Sequence, residues 1–159
     1  MKLGLALREL HRSERALAVG LDALAARHHS DHAITHVAGD LAGWSRTHVR
    51  EIAKAGRDYG MHLRWVPNLA ALSAPLQRRL SDLVGRRPEP ALLLLADLRR
   101  IHQRAAGVSV DWELLAQGAQ AAKDERLLAL AQRCHPETLR QLRWANAMLK
   151  ELAPQTLTS

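Results

Sequence analysis

Four polar residues in this sequence have types and spacings that suit metal ligation or ion pairing. They are one carboxylate and three imidazoles, each within or beside an apolar stripe of helical period: Glu14, His48, His102 and His135. Imidazole and carboxylate groups bind zinc and similar divalent ions, and four such ligands suit a tetrahedral site. The alternative is structural, because a buried carboxylate needs a partner, which Glu14 could find in His48 or His135. We favour the structural interpretation, since buried polar groups in bundles often set helix register.

Leucine periodicity predicts the first of four helices that would position these residues, from about Lys2 to Arg27. The leucines recur at alternating steps of four and three, and Glu14 occupies the one slot that leucine leaves. The composition agrees, because the chain is rich in Leu and Ala and only 3% aromatic, which disfavours strands. The apolar stripe of this helix consists of Leu3, Leu7, Leu10, Leu17, Leu21 and Leu24.

Three further stripes predict helices over about 31–60, from Pro90 to about 119, and over about 124–154. Each keeps a period of about 3.5 to 3.6 residues over many turns. Ser30 or Asp31 stands where it could cap the second helix. Pro136 lies inside the fourth pattern, where it removes one backbone hydrogen bond and crowds a carbonyl. We therefore expect a kink or a break at Pro136, and a stop at Pro154.

The lengths of the connections predict how these helices are arranged. The first and second helices are joined by a few residues, as are the third and fourth, so each pair should form an antiparallel hairpin. The segment 61–90 is long enough to cross the bundle, and its residues 73–85 read as a short amphipathic helix. We therefore predict an all-α four-helix bundle, two hairpins joined by a long crossover, forming one domain over 1–159.

This connectivity and the core polar residues resemble the ferritin-like superfamily. Di-iron members of that superfamily carry one Glu on helices one and three, and Glu-x-x-His on helices two and four. Glu14 matches the first position, whereas "SRTH" ending at His48 and "QRCH" ending at His135 keep the histidine without the glutamate. His102 or its neighbour Ile101 stands where the third helix should carry Glu. The resemblance implies a degenerate bacterial relative that kept the bundle and lost most di-iron carboxylates.

Charge and cysteine content limit the expected partners and location. The net charge is +7, but the arginines are spread over the outward faces of every helix, so nucleic-acid binding is not favoured. The single cysteine, Cys134, excludes an internal disulfide and fits a reducing cytoplasm. No apolar run approaches the roughly 20 residues that would cross a bilayer, so we expect no membrane partner.

No phosphate-binding loop, nucleophile elbow or dinucleotide fingerprint is present in the sequence, so no enzymatic reaction is predicted. We expect a non-catalytic bundle that acts through protein–protein interaction or self-association, without a cofactor. The second hypothesis is a metal-binding ferritin-like protein that holds zinc, iron or a similar divalent ion on the four core residues. The third hypothesis is a basic bundle associated with nucleic acid.

Overall fold

The computed structural model describes residues 2–64 and 89–159, and these residues form helices and connecting turns with no strand. The all-α prediction is therefore confirmed for this part of the chain. Most of the predicted crossover 61–90, with its short helix over 73–85, lies outside the described residues. The helices are α1 (Lys2–Arg27), α2 (His32–Gly56), α3 (Pro90–Ala121) and α4 (Glu125–Thr158), and a 3-10 turn (Arg57–Tyr59) follows α2.

Side-chain caps explain where two of these helices begin. The Asp31 carboxylate accepts a hydrogen bond of 3.1 Å from the backbone N–H of Ile34, at the start of α2. Asp124 does the same at 3.0 Å for Leu127, at the start of α4. Such caps satisfy backbone donors that the first turn of a helix leaves free. The helix starts predicted near Asp31 and Asp124 are confirmed.

The fourth helix does not break at Pro136 and does not stop at Pro154, so the expectations of a break and of a stop are wrong, whereas the kink at Pro136 stays a prediction. It runs without interruption from Glu125 to Thr158 with both prolines inside. Proline deprives the carbonyl four residues earlier of its partner. Those carbonyls belong to Gln132 and Lys150, which lie on the exposed side of α4 together with the prolines. Water can bond carbonyls on that side, so the helix continues.

The four helices pack around one apolar core. α1 packs against α2 and α3, and α4 packs against α3 and, less closely, against α2. The leucine stripe of α1 faces inward as predicted, except that Leu3 is only partly buried. Trp112 of α3 is fully buried, and it is the largest fully buried side chain in the described part of the chain. None of the described helices is long and apolar enough to cross a membrane.

Candidate functional site

A fully buried carboxylate, Glu14, lies at the centre of the bundle. Its Oε1 accepts hydrogen bonds from His48 Nδ1 at 2.7 Å, Trp112 Nε1 at 2.8 Å and Thr138 Oγ1 at 3.3 Å. These three donors belong to α2, α3 and α4, whereas Glu14 belongs to α1. One carboxylate oxygen therefore bonds to each of the other three helices. A buried carboxylate needs such partners, because losing its hydration is expensive.

His48 extends this arrangement from the core to the surface. Its second nitrogen, Nε2, lies 2.7 Å from Oε2 of Glu137, a half-exposed residue of α4, while its own side chain is only 1% exposed. A neutral imidazole carries one N–H, so it can donate to only one carboxylate. Donation to both Glu14 and Glu137 therefore requires the imidazolium form. Glu14, His48 and Glu137 form what we call the core relay.

The surroundings of His48 favour that charged form. Burial on its own would lower the pKa of His48, but the hydrogen bonds from its ring to Glu14 and Glu137 and the charges of these carboxylates outweigh burial and raise the pKa. The Trp112 indole and the imidazole are nearly perpendicular, with ring centroids 5.8 Å apart. The imidazole ring thus has a carboxylate at each nitrogen and an aromatic ring packed against it.

Cys134, which lies next to His135 in the sequence, is not arranged as a nucleophile. The thiol is buried, and burial together with the carboxylate of Glu14 raises the pKa of Cys134 to about 12. A thiol with such a pKa stays protonated near neutral pH, and only the thiolate attacks. Cys134 therefore behaves as a small apolar core residue.

The structure brings together two of the four predicted site residues, Glu14 and His48. His135 Nε2 instead lies 2.8 Å from Ser109 Oγ and 3.9 Å from the carboxylate of Glu113. His102 is only partly buried, because its neighbour Ile101 occupies the inward position. Within 2–64 and 89–159, no group of three or more His, Cys, Asp or Glu side chains is arranged to hold a metal ion.

Glu137 is the member of the core relay that sequence reasoning missed. It lies at the edge of α4 that faces α2, beside the inward-facing Thr138, so a helical projection shows only a charge next to the core. The sequence signal for its position was its spacing of four residues from Gln141, because residues four apart lie on the same side of a helix and Gln141 is buried. Gln141 donates to the backbone carbonyl of Leu41 and to Ser45 Oγ, both at 2.9 Å, so this edge of α4 is hydrogen-bonded to α2 repeatedly.

A second buried carboxylate, Asp97 of α3, was also not predicted. It accepts two hydrogen bonds of 2.8 Å from Arg27, one of 3.1 Å from Arg100, and lies 2.9 Å from His28 Nε2. Asp97 is 7% exposed. Because Arg27 ends α1 and His28 follows it, this cluster attaches the α1–α2 turn to α3.

An open groove of about 400 Å³ lies between α2 and α4. Its lining combines apolar residues, Leu127 and Leu130 among them, with charged residues of both helices. Arg133 lies 3.6 Å from Glu51, and Arg126 lies 3.8 Å from Asp58 across the groove. These exposed pairs contribute little energy each, and they include four of the five charged side chains that line the groove, the fifth being Lys54.

Comparison with known proteins adds no relative to this description. No family model matches the chain, and no curated protein or solved structure matches it significantly.

Proposed function

We propose that this protein is a non-catalytic, ferritin-like helical bundle that acts through protein–protein interaction, and that its main partner is a second copy of itself. The observation that carries the proposal is the internal use of the core relay. Glu14 Oε1 and both nitrogens of His48 are engaged by side chains of this chain. Both nitrogens of His48 are therefore occupied, and the remaining oxygen of Glu14, Oε2, is closed off from solvent because Glu14 is fully buried. Function is then left to the surface.

The pairing of helices supports the ferritin-like part of the proposal. Contacts between α1 and α2 run in opposite sequence directions, and so do those between α2 and α4. The α1–α3 contacts follow the same rule, so α2 and α3 point the same way. These directions support an arrangement of two antiparallel hairpins with parallel second and third helices, which is the connectivity of ferritin-like bundles. The contacts are Ala25–Thr35 and Glu14–His48 between α1 and α2, Leu41–Gln141 and Tyr59–Asp124 between the α2 and α4 ends of the bundle, and Arg27–Asp97 and Ser13–Asp111 between α1 and α3.

Metal binding is the second candidate function. In its favour, Glu14 Oε2 and His102 Nδ1 are buried without a hydrogen-bond partner among the described residues. Against it, the two carboxylates of the core relay lie on opposite sides of the His48 ring, so they do not converge on one ion. The metal site on Glu14, His48, His102 and His135 stays a prediction. We expect protein purified without a histidine tag to contain no stoichiometric metal. Stoichiometric zinc, iron or manganese that is lost in His48→Ala and His135→Ala would favour the second candidate.

Solution mass as a function of concentration tests the proposed self-association. Light scattering coupled to size exclusion should give a mass above the 17.7 kDa of one chain, falling toward it on dilution. A single-chain mass at every concentration would contradict the proposal.

A further inference from the structure

The outward face of α3 carries a row of exposed residues without charge. Six exposed, uncharged residues lie along it, and five of them follow one another at steps of three and four. The exposed charged residues of α3 lie beside this row, and they are Arg99, Arg100, Arg104 and Glu113. We call this surface the α3 outer face. It consists of Leu92, Gln103, Gly107, Val110, Leu114 and Gln117.

Large apolar side chains on the α3 outer face are open to solvent. Val110 is 52% exposed and Leu114, one turn later, is 63% exposed. Leu92, at the start of the helix, is 44% exposed. A single exposed leucine is ordinary, but apolar residues that recur along one helical face are typical of a contact surface.

Two charges at one edge of this face are arranged to complement a second copy of the same helix. Arg99 and Glu113 are both exposed and lie about four turns apart, which puts them on similar sides of α3. They stand at equal distances in sequence before and after Ala106. In an antiparallel pair of α3 helices related by a two-fold axis near that point, Arg99 of each copy faces Glu113 of the other. A parallel pair would instead place Arg99 against Arg99.

We propose that the α3 outer face is the surface through which two copies of this chain associate, with their α3 helices antiparallel and the two-fold axis near Gly107. This inference rests on the proposed function, which it makes specific. A two-fold interface uses the same patch on both copies, so the patch must complement itself. The Arg99–Glu113 arrangement does so, and it occurs twice per dimer.

Gly107 suits the position nearest the axis. It is exposed, and a Cβ built on it would meet no atom of residues 2–64 and 89–159 within 4 Å. Packing against these residues therefore does not require glycine there, although glycine inside a helix costs about 1 kcal/mol relative to alanine. Because Gly107 has no side chain, the backbones of two α3 helices can approach each other closely at this point. Val110 and Leu114 can then pack against the partner.

The test compares the dimer dissociation constants of four variants by sedimentation equilibrium, with circular dichroism to show that each remains folded. Leu114→Glu should raise the constant at least tenfold, since it places a charge in an apolar contact twice. Leu5→Glu on α1 is the matched control, because Leu5 is also 63% exposed, and it should leave the constant unchanged. Arg99→Glu should raise the constant by about tenfold, because two attractive pairs become repulsive.

The double variant Arg99→Glu with Glu113→Arg decides the orientation. It exchanges the charges in both pairs, so an antiparallel dimer should recover to within about threefold of the original constant. A dimer that tolerates Leu114→Glu, or that the charge exchange does not restore, overturns the α3 pairing while leaving self-association in place. A dimer weakened by Leu5→Glu instead assigns the contact to α1. A chain that is monomeric throughout overturns both the pairing and the proposed function.

Discussion

Replacement of Glu14 by glutamine is the sharpest test of the core relay. The amide keeps an oxygen for the Trp112 and Thr138 donors but removes the negative charge beside His48. The charged hydrogen bond to His48 that is weakened contributes about 1.5–3 kcal/mol. The new NH2 group would also take the place of Glu14 Oε2, which has no partner among the described residues. Leaving such a buried donor without an acceptor costs about 1–3 kcal/mol. We expect the variant to lose about 3 kcal/mol of unfolding free energy.

The loss should depend on pH in a defined direction. The pKa of His48 is raised above its ordinary value of 6.5 in the folded protein. Its stabilising contribution is therefore fully present below about pH 6.5 and disappears as the pH rises through the raised value. The free-energy difference between wild type and Glu14→Gln should be largest near pH 6 and smaller at about pH 9.

Urea unfolding followed by circular dichroism measures this difference at both pH values. Burial, with a smaller effect of Arg15, lowers the pKa of His11, so that residue contributes in the opposite direction. Its contribution is present above about pH 6.5 and is lost as the pH falls through the lowered value. Subtracting the variant from wild type cancels this effect, because His11 is the same in both. Glu9→Gln on the exposed side of α1 should change stability by less than about 0.5 kcal/mol. An equal loss at both pH values, or none, would refute the ionic account of the core relay.

Two further predictions concern other buried groups. Asp97→Asn should lower the unfolding free energy by about 2 kcal/mol in the same urea assay, because the charged hydrogen bonds from Arg27 and Arg100 weaken together. Cys134 should resist alkylation by iodoacetamide at pH 8 in the folded protein and react readily in urea, since its thiol is buried and its pKa is raised to about 12.

The Asp97 prediction has a control within the chain. Asp40→Asn, at an exposed position of α2, should leave stability almost unchanged. A loss as large as that of Asp97→Asn would show that the assay responds to net charge rather than to the cluster at the α1–α2 turn. Rapid native alkylation of Cys134 would show that the α4 side of the core opens to solvent.

Helix positions could be read from the sequence, and so could the need of Glu14 for a buried partner, because both depend on periodicity. A carboxylate in a leucine stripe predicts such a partner, for which the sequence offers His48 and His135, and the structure selects His48. Ile101 and His102 show the limit of this reasoning. Adjacent helical residues point about 100° apart, so the choice between them depends on a small rotation that periodicity does not define.

Residues at the edges of helices were harder to predict than those in the stripes. Glu137 and Asp97 are charged residues beside apolar ones, which is also the pattern of a solvated surface. Their roles depend on groups from other helices, His48 for Glu137 and Arg27 for Asp97. Whether α4 can continue through its prolines also depends on the rest of the fold, because it is decided by which side of the helix faces water. Such properties come from tertiary neighbours and not from local pattern.

The bonding of one Glu14 oxygen to all three other helices has a consequence for assembly. In any intermediate in which one helix is not yet packed, the buried Glu14 carboxylate lacks one of its hydrogen bonds. A buried carboxylate without its full set of donors is costly in an apolar interior. Intermediates with two or three helices in place are therefore penalised relative to both the open chain and the finished bundle. The carboxylate makes folding of this bundle more nearly all-or-none than its leucines alone would.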